Sequence, residues 1–324
     1  MAGPSERLTA GVDLGGTKIQ TVVMRGQKVV GSARRETPGT GADAVIATMV
    51  DSLKASIAAA GIRTADLAAV GIGSPGTIDL DAGTVGNSPN VHGFETGPVA
   101  VGPAVSRALG GVSVRIDNDV RTAVYGEWKC GAGRPYRDLL GVFVGTGVGG
   151  GLVLDGELRE GHGAAGEIGH TIVKDQGRRC GCGKRGCLEA YAGRQRMEVT
   201  ARRWQDARGR STELFRIMRR RGRDRVTSGT IAVALEIGDE VTIRLIDRAV
   251  WALGLALANA QNLLDLQAII VGGGLGDRLG EPFVHRVQAA ATPRLHVPER
   301  PPVFLPTELG DLGGAVGAAV LAGS

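Results

Sequence analysis

Aromatic side chains are scarce: Phe, Trp and Tyr make up 3% of the 324 residues. A surface that reads bases by stacking needs such rings. Near the densest basic stretch, Arg216 to Arg225, only Trp204 and Phe215 supply them. With Arg202, Arg203, Arg208 and Arg210 upstream, that stretch reads as a solvated helix face and its loop. The net charge of +5 is modest for this length, and no nucleic-acid partner is expected. Long apolar runs are also missing. No segment approaches the roughly 20 uninterrupted apolar residues of a membrane helix. The stretch Met1 to Ala10 has no apolar core of signal-peptide length. No membrane partner is expected, and the expected location is cytoplasmic. A Walker A sequence, G-x4-G-K-[ST], is absent, which excludes a P-loop nucleotide site.

Cysteine is rare but concentrated. Three of the four cysteines lie in Cys180-Gly181-Cys182-Gly183-Lys184-Arg185-Gly186-Cys187, shortly after Gly166-Glu167-Ile168-Gly169-His170. One His and three Cys match the donor set of a closed tetrahedral zinc site. The intervening glycines let the backbone fold tightly enough for the donors to converge. A disulfide would need an oxidising compartment and would leave one thiol over. Reduced surface cysteines are the other alternative. With four protein donors no position is left for a reactive water, so the zinc is expected to be structural. Cys130, far from the others, reads as an ordinary thiol.

Glycine is abundant, with 53 residues. Gly11 to Met24 and Gly141 to Leu154 align without gaps: an apolar run, a Gly/Thr turn, then a second apolar run. Each is the pattern of a β-hairpin. The second contains Gly145-Thr146-Gly147-Val148-Gly149-Gly150, which satisfies G-x-G-x-x-G. A dinucleotide site requires a helix next, whereas Gly151-Leu152-Val153-Leu154 reads as strand. Two turns dense in backbone N–H groups and Thr hydroxyls remain, suited to phosphate; ligand-free glycine turns are the alternative. Leu266 to Val271 reads as a buried strand ending in Gly272-Gly273-Gly274. A flat ring such as adenine would fit against it, and a simple loop would look the same. The apolar stretch Val250 to Leu264 before it predicts a buried helix.

The chain exceeds the about 250–300 residues at which one core stops growing, so two domains are expected. Val112 to Ile116 predicts a strand running into Asp117-Asn118-Asp119, and Val120 to Trp128 predicts a helix. Asp119 therefore falls at a strand's carboxyl end beside a helix start, where open α/β sheets place ligands. It is either a helix cap or a general base for a substrate hydroxyl.

Together, Asp13-Leu-Gly-Gly-Thr-Lys18, Gly73-Ser-Pro-Gly76, Asn118-Asp119, Gly145-Thr-Gly-Val-Gly149 and Glu167…His170…Cys180-Gly-Cys-Gly…Cys187 closely resemble the ROK family of repressors and sugar kinases, over nearly the whole chain. The resemblance implies an α/β, two-domain actin-like ATPase fold (ribonuclease H-like, hexokinase-type) with a structural zinc loop. It implies a small N-terminal domain, 1–121 plus 311–324, and a large C-terminal domain, 122–310, with the sugar cleft between them. The final stretch Gly313 to Ala322 predicts a helix returning to the first domain.

The implied activity is ATP-dependent phosphorylation of an aldohexose 6-hydroxyl, glucose first. Fructose, mannose and N-acetylhexosamines are the alternative substrates. Asp119 matches the family's catalytic base. Asn90, Asn118, Glu167, His170 and Glu189 match sugar-binding positions, with His170 also a zinc ligand. Asp13, Gly15, Gly16, Thr17 and Lys18 match the first phosphate turn, with Asp13 near Mg2+. Gly145, Thr146 and Gly147 match the second, and Gly272 and Gly273 the adenosine side. The implied cofactors are ATP, Mg2+ and structural Zn2+, and the implied assembly is a homodimer or homotetramer. One departure is visible: Val120-Arg121-Thr122 replaces the common Ala-Asn-Ala, altering packing behind the base. A sugar-responsive repressor is the rival reading, but only about ten residues precede Gly11, too few for a helix-turn-helix module.

Overall fold

A computed structural model describes residues 7–209 and 211–324, so Arg210 of the basic stretch lies outside the described residues. The chain begins with β1 (Leu8–Leu14), β2 (Lys18–Arg25) and β3 (Lys28–Glu36), followed by α1 (Ala42–Ala59) and β4 (Ala69–Ser74). A small hairpin, β5 (Thr77–Asp79) and β6 (Thr84–Gly86), precedes α2 (Val101–Ala108), β7 (Val114–Asn118) and α3 (Asp119–Cys130). Next come β8 (Leu139–Val144), β9 (Val148–Leu154) and β10 (Glu157–Leu158), then α4 (Glu189–Ala192), α5 (Arg194–Arg208), α6 (Leu214–Arg220), α7 (Ser228–Glu236) and α8 (Glu240–Leu264). β11 (Ala268–Gly272), α9 (Gly273–Ala291), β12 (Val303–Pro306) and α10 (Gly313–Gly323) complete the order.

Two five-stranded sheets share one plan. The first runs β3-β2-β1-β4-β7 and the second β10-β9-β8-β11-β12. In each, three antiparallel strands are extended by two parallel ones. The echo between Gly11–Met24 and Gly141–Leu154 is therefore structural: each segment supplies the central hairpin of its sheet. β9 follows the Gly145–Gly150 run directly, as the strand reading requires.

The chain divides into two units, residues 1–135 with 308–324, and residues 136–307. The boundary expected after residue 121 falls inside α3 instead, because that helix belongs to the first unit. A side chain at Gly126 would bring its Cβ within 2.7 Å of Gly313 O, so α3 and α10 meet backbone to backbone. At the next residue, the carboxylate of Glu127 accepts the N–H of Ala132 (3.1 Å), Glu308 (3.1 Å) and Leu309 (2.9 Å). That buried side chain fixes both the exit and the return of the first unit's chain.

α10 lies flush on the first sheet. A Cβ at Gly11 of β1 would sit 1.9 Å from Ala315 O, and one at Gly71 of β4 would sit 1.8 Å from Ala318 O. No other residue is small enough for this approach. Ala315, Val316 and Ala319 pack with Val22 and Met24, and half-buried Cys130 joins that cluster. In the second unit α8 is buried on most faces and begins earlier than expected, where the Asp239 side chain caps it by accepting the Thr242 N–H. α6 buries Phe215, Ile217 and Met218 and exposes Arg216, Arg219 and Arg220, the amphipathic pattern read from the basic stretch. Among the described residues no helix is long and apolar enough to cross a membrane.

Candidate functional site

In the first unit, the β1–β2 hairpin closes with Gly15 N–H donating to Lys18 O at 2.9 Å. Thr37 braces it from outside, its hydroxyl donating to Gly15 O at 2.7 Å. Gly16 and Thr17 are left exposed at the tip. A side chain at Gly16 would strike Asn90 O at 2.3 Å, so Asn90 is seated directly on this turn. Asp13 lies one residue before the end of β1. Lys18 Nζ pairs with Asp311 Oδ1 at 3.1 Å, and Gly314 approaches the Asp13 carboxylate closely enough that a Cβ would lie 2.7 Å from Cγ. Burial, eased by Lys18 and reinforced by Asp311, pushes the Asp13 carboxyl up to about 6. Two acids and one lysine thus flank the turn. Asp311 was not anticipated; its signal is an acid inside the glycine-rich run Leu309 to Gly314.

The β7–α3 junction separates the two roles open to Asp119. Asn118, not Asp119, is the N-cap: its side-chain oxygen accepts the N–H of Val120 (3.0 Å) and Arg121 (3.1 Å). Asp119 occupies the first helical position, where the positive end of the helix favours an ionised carboxylate. Its Oδ1 accepts the local Val120 N–H at 2.9 Å. Behind it, the unusual Arg121 forms a buried ion pair with Asp117, which also accepts the Asn118 N–H at 2.6 Å. The departure at Val120-Arg121-Thr122 is therefore a charged brace beneath the Asn118-Asp119 pair.

In the second unit, the β8–β9 turn closes with Gly145 N–H donating to Gly147 O at 2.9 Å. The segment carrying Glu167 and His170 packs on β9, since a Cβ at Gly169 would lie 1.9 Å from Val148 O. Glu189, first in α4, reaches the same place: its Oε2 accepts the Val148 N–H at 3.2 Å, and its Oε1 lies 3.4 Å from Cys180 Sγ. Glu167, His170, Glu189 and the Gly145–Gly147 turn are thereby brought together.

His170, Cys180, Cys182 and Cys187 present one nitrogen and three sulfurs, all within 4.8 Å of one another. Cys182 and Cys187 sulfurs are 3.7 Å apart, and Cys180 Sγ is 4.0 Å from His170 Nδ1. Tetrahedral zinc–sulfur bonds of about 2.3 Å imply sulfurs about 3.8 Å apart, so the set fits zinc. The opposite imidazole nitrogen, Nε2, faces Glu167 Oε2 at 4.0 Å. Desolvation raises the Cys180 thiol to about 12 and also raises Cys187. At Cys182 desolvation is outweighed by the Lys184 N–H and the neighbouring thiols, which lower it. Three thiols so close ionise together only around a cation.

The Gly272–Gly274 run does not form a separate loop. Gly272 ends β11 and α9 starts at Gly273. A Cβ at Gly272 would meet Thr307 Cγ2 at 2.2 Å, and one at Gly273 would meet Val144 N at 2.7 Å. These two glycines are required by the chain's own packing. Gly274 has no neighbour nearer than Ser228 Oγ, 3.7 Å from its would-be Cβ.

Residues 9–324 match the ROK family. The chain is 32% identical over 319 residues to a glucokinase of Streptomyces coelicolor, with 97% of each chain covered. It is 31% identical over 321 residues to the N-acetylgalactosamine kinase AgaK of Shewanella sp., covering 96% of this chain and 95% of that one. Among solved structures it matches a ROK family glucokinase from Streptomyces griseus in complex with glucose and AMPPNP. There the TM-score is 0.80 at 31% identity, covering 97% of this chain and 99% of that chain. With its two hairpin-centred sheets, its paired glycine turns and its Cys3His loop, this chain belongs to the ROK family.

Proposed function

We propose that the protein is an ATP-dependent hexokinase that phosphorylates the 6-hydroxyl of an aldohexose, glucose foremost. The observation that carries this reading is Asp119, a carboxylate at a helix start whose capping bonds its neighbour already makes. Asp119 accepts the 6-hydroxyl proton while that oxygen attacks the γ-phosphorus. Asn90, Asn118, Glu167, His170 and Glu189 hydrogen-bond the remaining hydroxyls, and such contacts discriminate strongly among sugars. The two turns, Gly15, Gly16 and Thr17 with Gly145, Thr146 and Gly147, hold the phosphates through the N–H groups that their own closing bonds leave over, with Lys18 adding charge. The adenosine lies over the β11–α9 junction at Gly272 and Gly273, where Gly274 leaves open space.

Asp13 with its neighbour Asp311 suits a magnesium ion, whose charge would offset that of the phosphates. His170, Cys180, Cys182 and Cys187 suit zinc, which would stiffen the loop and carry no reactive water. With Nδ1 on the side of Cys180, His170 would keep its Nε2 edge for the sugar and Glu167.

The near-equal identity to an N-acetylgalactosamine kinase favours N-acetylhexosamines as the second substrate class. A coupled assay of ADP release over roughly a dozen hexoses and N-acetylhexosamines tests both readings. Turnover with glucose and none with the acetylated sugars is the expected result. No nucleotide consumption with any sugar, together with salt-dependent DNA binding, would overturn the kinase reading.

A further inference from the structure

Arg194 is placed where a cation is disfavoured. It opens α5, at the positive end of the helix dipole. Burial lowers the pKa of its guanidinium; Glu198 opposes that shift and Arg225 adds to it. A basic residue desolvated at a helix N-terminus contradicts local preference, and such contradictions concentrate at functional sites. What it touches gives the reason. Arg194 Nη2 donates to Thr146 Oγ1 at 2.7 Å, and Nη1 donates to Val226 O. The same helix start joins the turn through its backbone: Arg194 N–H donates to Gly145 O at 3.0 Å and Gln195 N–H to Thr146 O at 3.1 Å.

A guanidinium has donors only. The Thr146 hydroxyl must therefore accept from Arg194, which leaves its own hydrogen to be donated to a different acceptor. We propose that Arg194 is a positioning residue for the phosphoryl donor: it orients the Thr146 O–H toward a phosphate oxygen of the nucleotide and adds positive potential behind the Gly145–Gly147 turn. The inference rests on the proposed role of that turn in nucleotide binding. Its ligand is the polyphosphate of a nucleoside triphosphate, not the sugar. A helix-anchoring arginine alone would need only the Val226 carbonyl and the backbone bonds.

The test is calorimetric titration of the whole protein with Mg·AMPPNP and, separately, with glucose, for R194A, R194K, T146V, T146S and R194A/T146V. Hydrogen bonds to charged groups predict a loss of nucleotide affinity of roughly ten- to hundred-fold in R194A and in T146V. Glucose affinity should stay within about twofold in both, and the double variant should lose little more than the worse single one. T146S should recover most of what T146V loses, and R194K only part, since one ammonium cannot span Thr146 and Val226 together. If R194A fails to fold, T146V and R194K carry the same comparison. Nucleotide affinity in T146V and R194K within about twofold of wild type, or additive losses, would overturn the inference while leaving the kinase reading intact. Wild-type protein that binds no nucleotide would overturn both.

Discussion

Glu189 and Val148 are joined by a hydrogen bond: the carboxylate of the first accepts the backbone N–H of the second at 3.2 Å. Because the other carboxylate oxygen contacts Cys180, one side chain links the thiol loop to the second glycine turn. Each oxygen keeps a second lone pair, which in the proposed function would accept from a sugar hydroxyl. The loop is therefore expected to govern the geometry of the turn as well as its own.

Cys182 is the exposed cysteine of the Cys3His set, so replacing it leaves no core cavity. Cys182→Ser is expected to lose bound zinc, lower Tm and weaken glucose binding at least ~10-fold, since site formation is coupled to folding. Atomic emission on purified protein, beside thermal melts and titrations, checks this. Zinc-free wild-type protein with unchanged melting and kinetics would contradict it.

Asp119→Ala should reduce kcat by at least ~10²-fold, the usual range for loss of a general base. Asn118 keeps the α3 cap in that variant, so Tm should move little. A near-normal kcat would reject Asp119 as the base.

Removing one partner of a buried ion pair strands the other. Asp117 is fully buried and Arg121 is 4% exposed, so Arg121→Ala should cost about 3–5 kcal/mol in urea unfolding. Adding Asp117→Asn should recover part of that loss, because a neutral amide is less costly to bury. If the single variant unfolds with wild-type stability, the brace beneath Asn118 and Asp119 contributes nothing.

The sign of the Asp13 shift fixes a pH dependence. Burial holds its carboxyl above the ordinary aspartate value, at about 6. The stability it contributes is therefore complete below about pH 4 and lost as pH rises through about 6. Above that pH, Asp13→Asn should stabilise the ligand-free protein, by on the order of 2 kcal/mol. The same variant should lose Mg·ATP affinity, and wild-type affinity should fall as pH drops below about 6. A variant less stable than wild type at pH 8 would contradict the burial argument.

The hairpins were legible because a Gly/Thr turn between two apolar runs admits few other structures, and the Cys3His set because four donors of one class rarely gather otherwise. The domain boundary was not. Whether α3 joins the first or the second unit depends on Gly126 meeting Gly313 and Gly317, a contact across most of the chain that no local pattern records. Glu127 looks like any helical acid until Glu308 and Leu309 arrive to donate to it. The packing of Gly272 and Gly273 against Thr307 and Val144 was not legible either, because an open strand end and a packed one call for the same residue. Arg194 carried no signal in isolation, since its meaning lies in Thr146, on a turn far back in sequence.

The close seating of α10 on β1 and β4 has a bearing on how the protein is made. Synthesis delivers the first sheet early, but the helix that covers Val22 and Met24 emerges only after the entire second unit. A ribosome-bound chain can thus finish residues 136–307 while the earlier sheet still waits with one face bare. Nascent chains arrested before residue 313 should hold a protease-resistant second half and a cleavable first one.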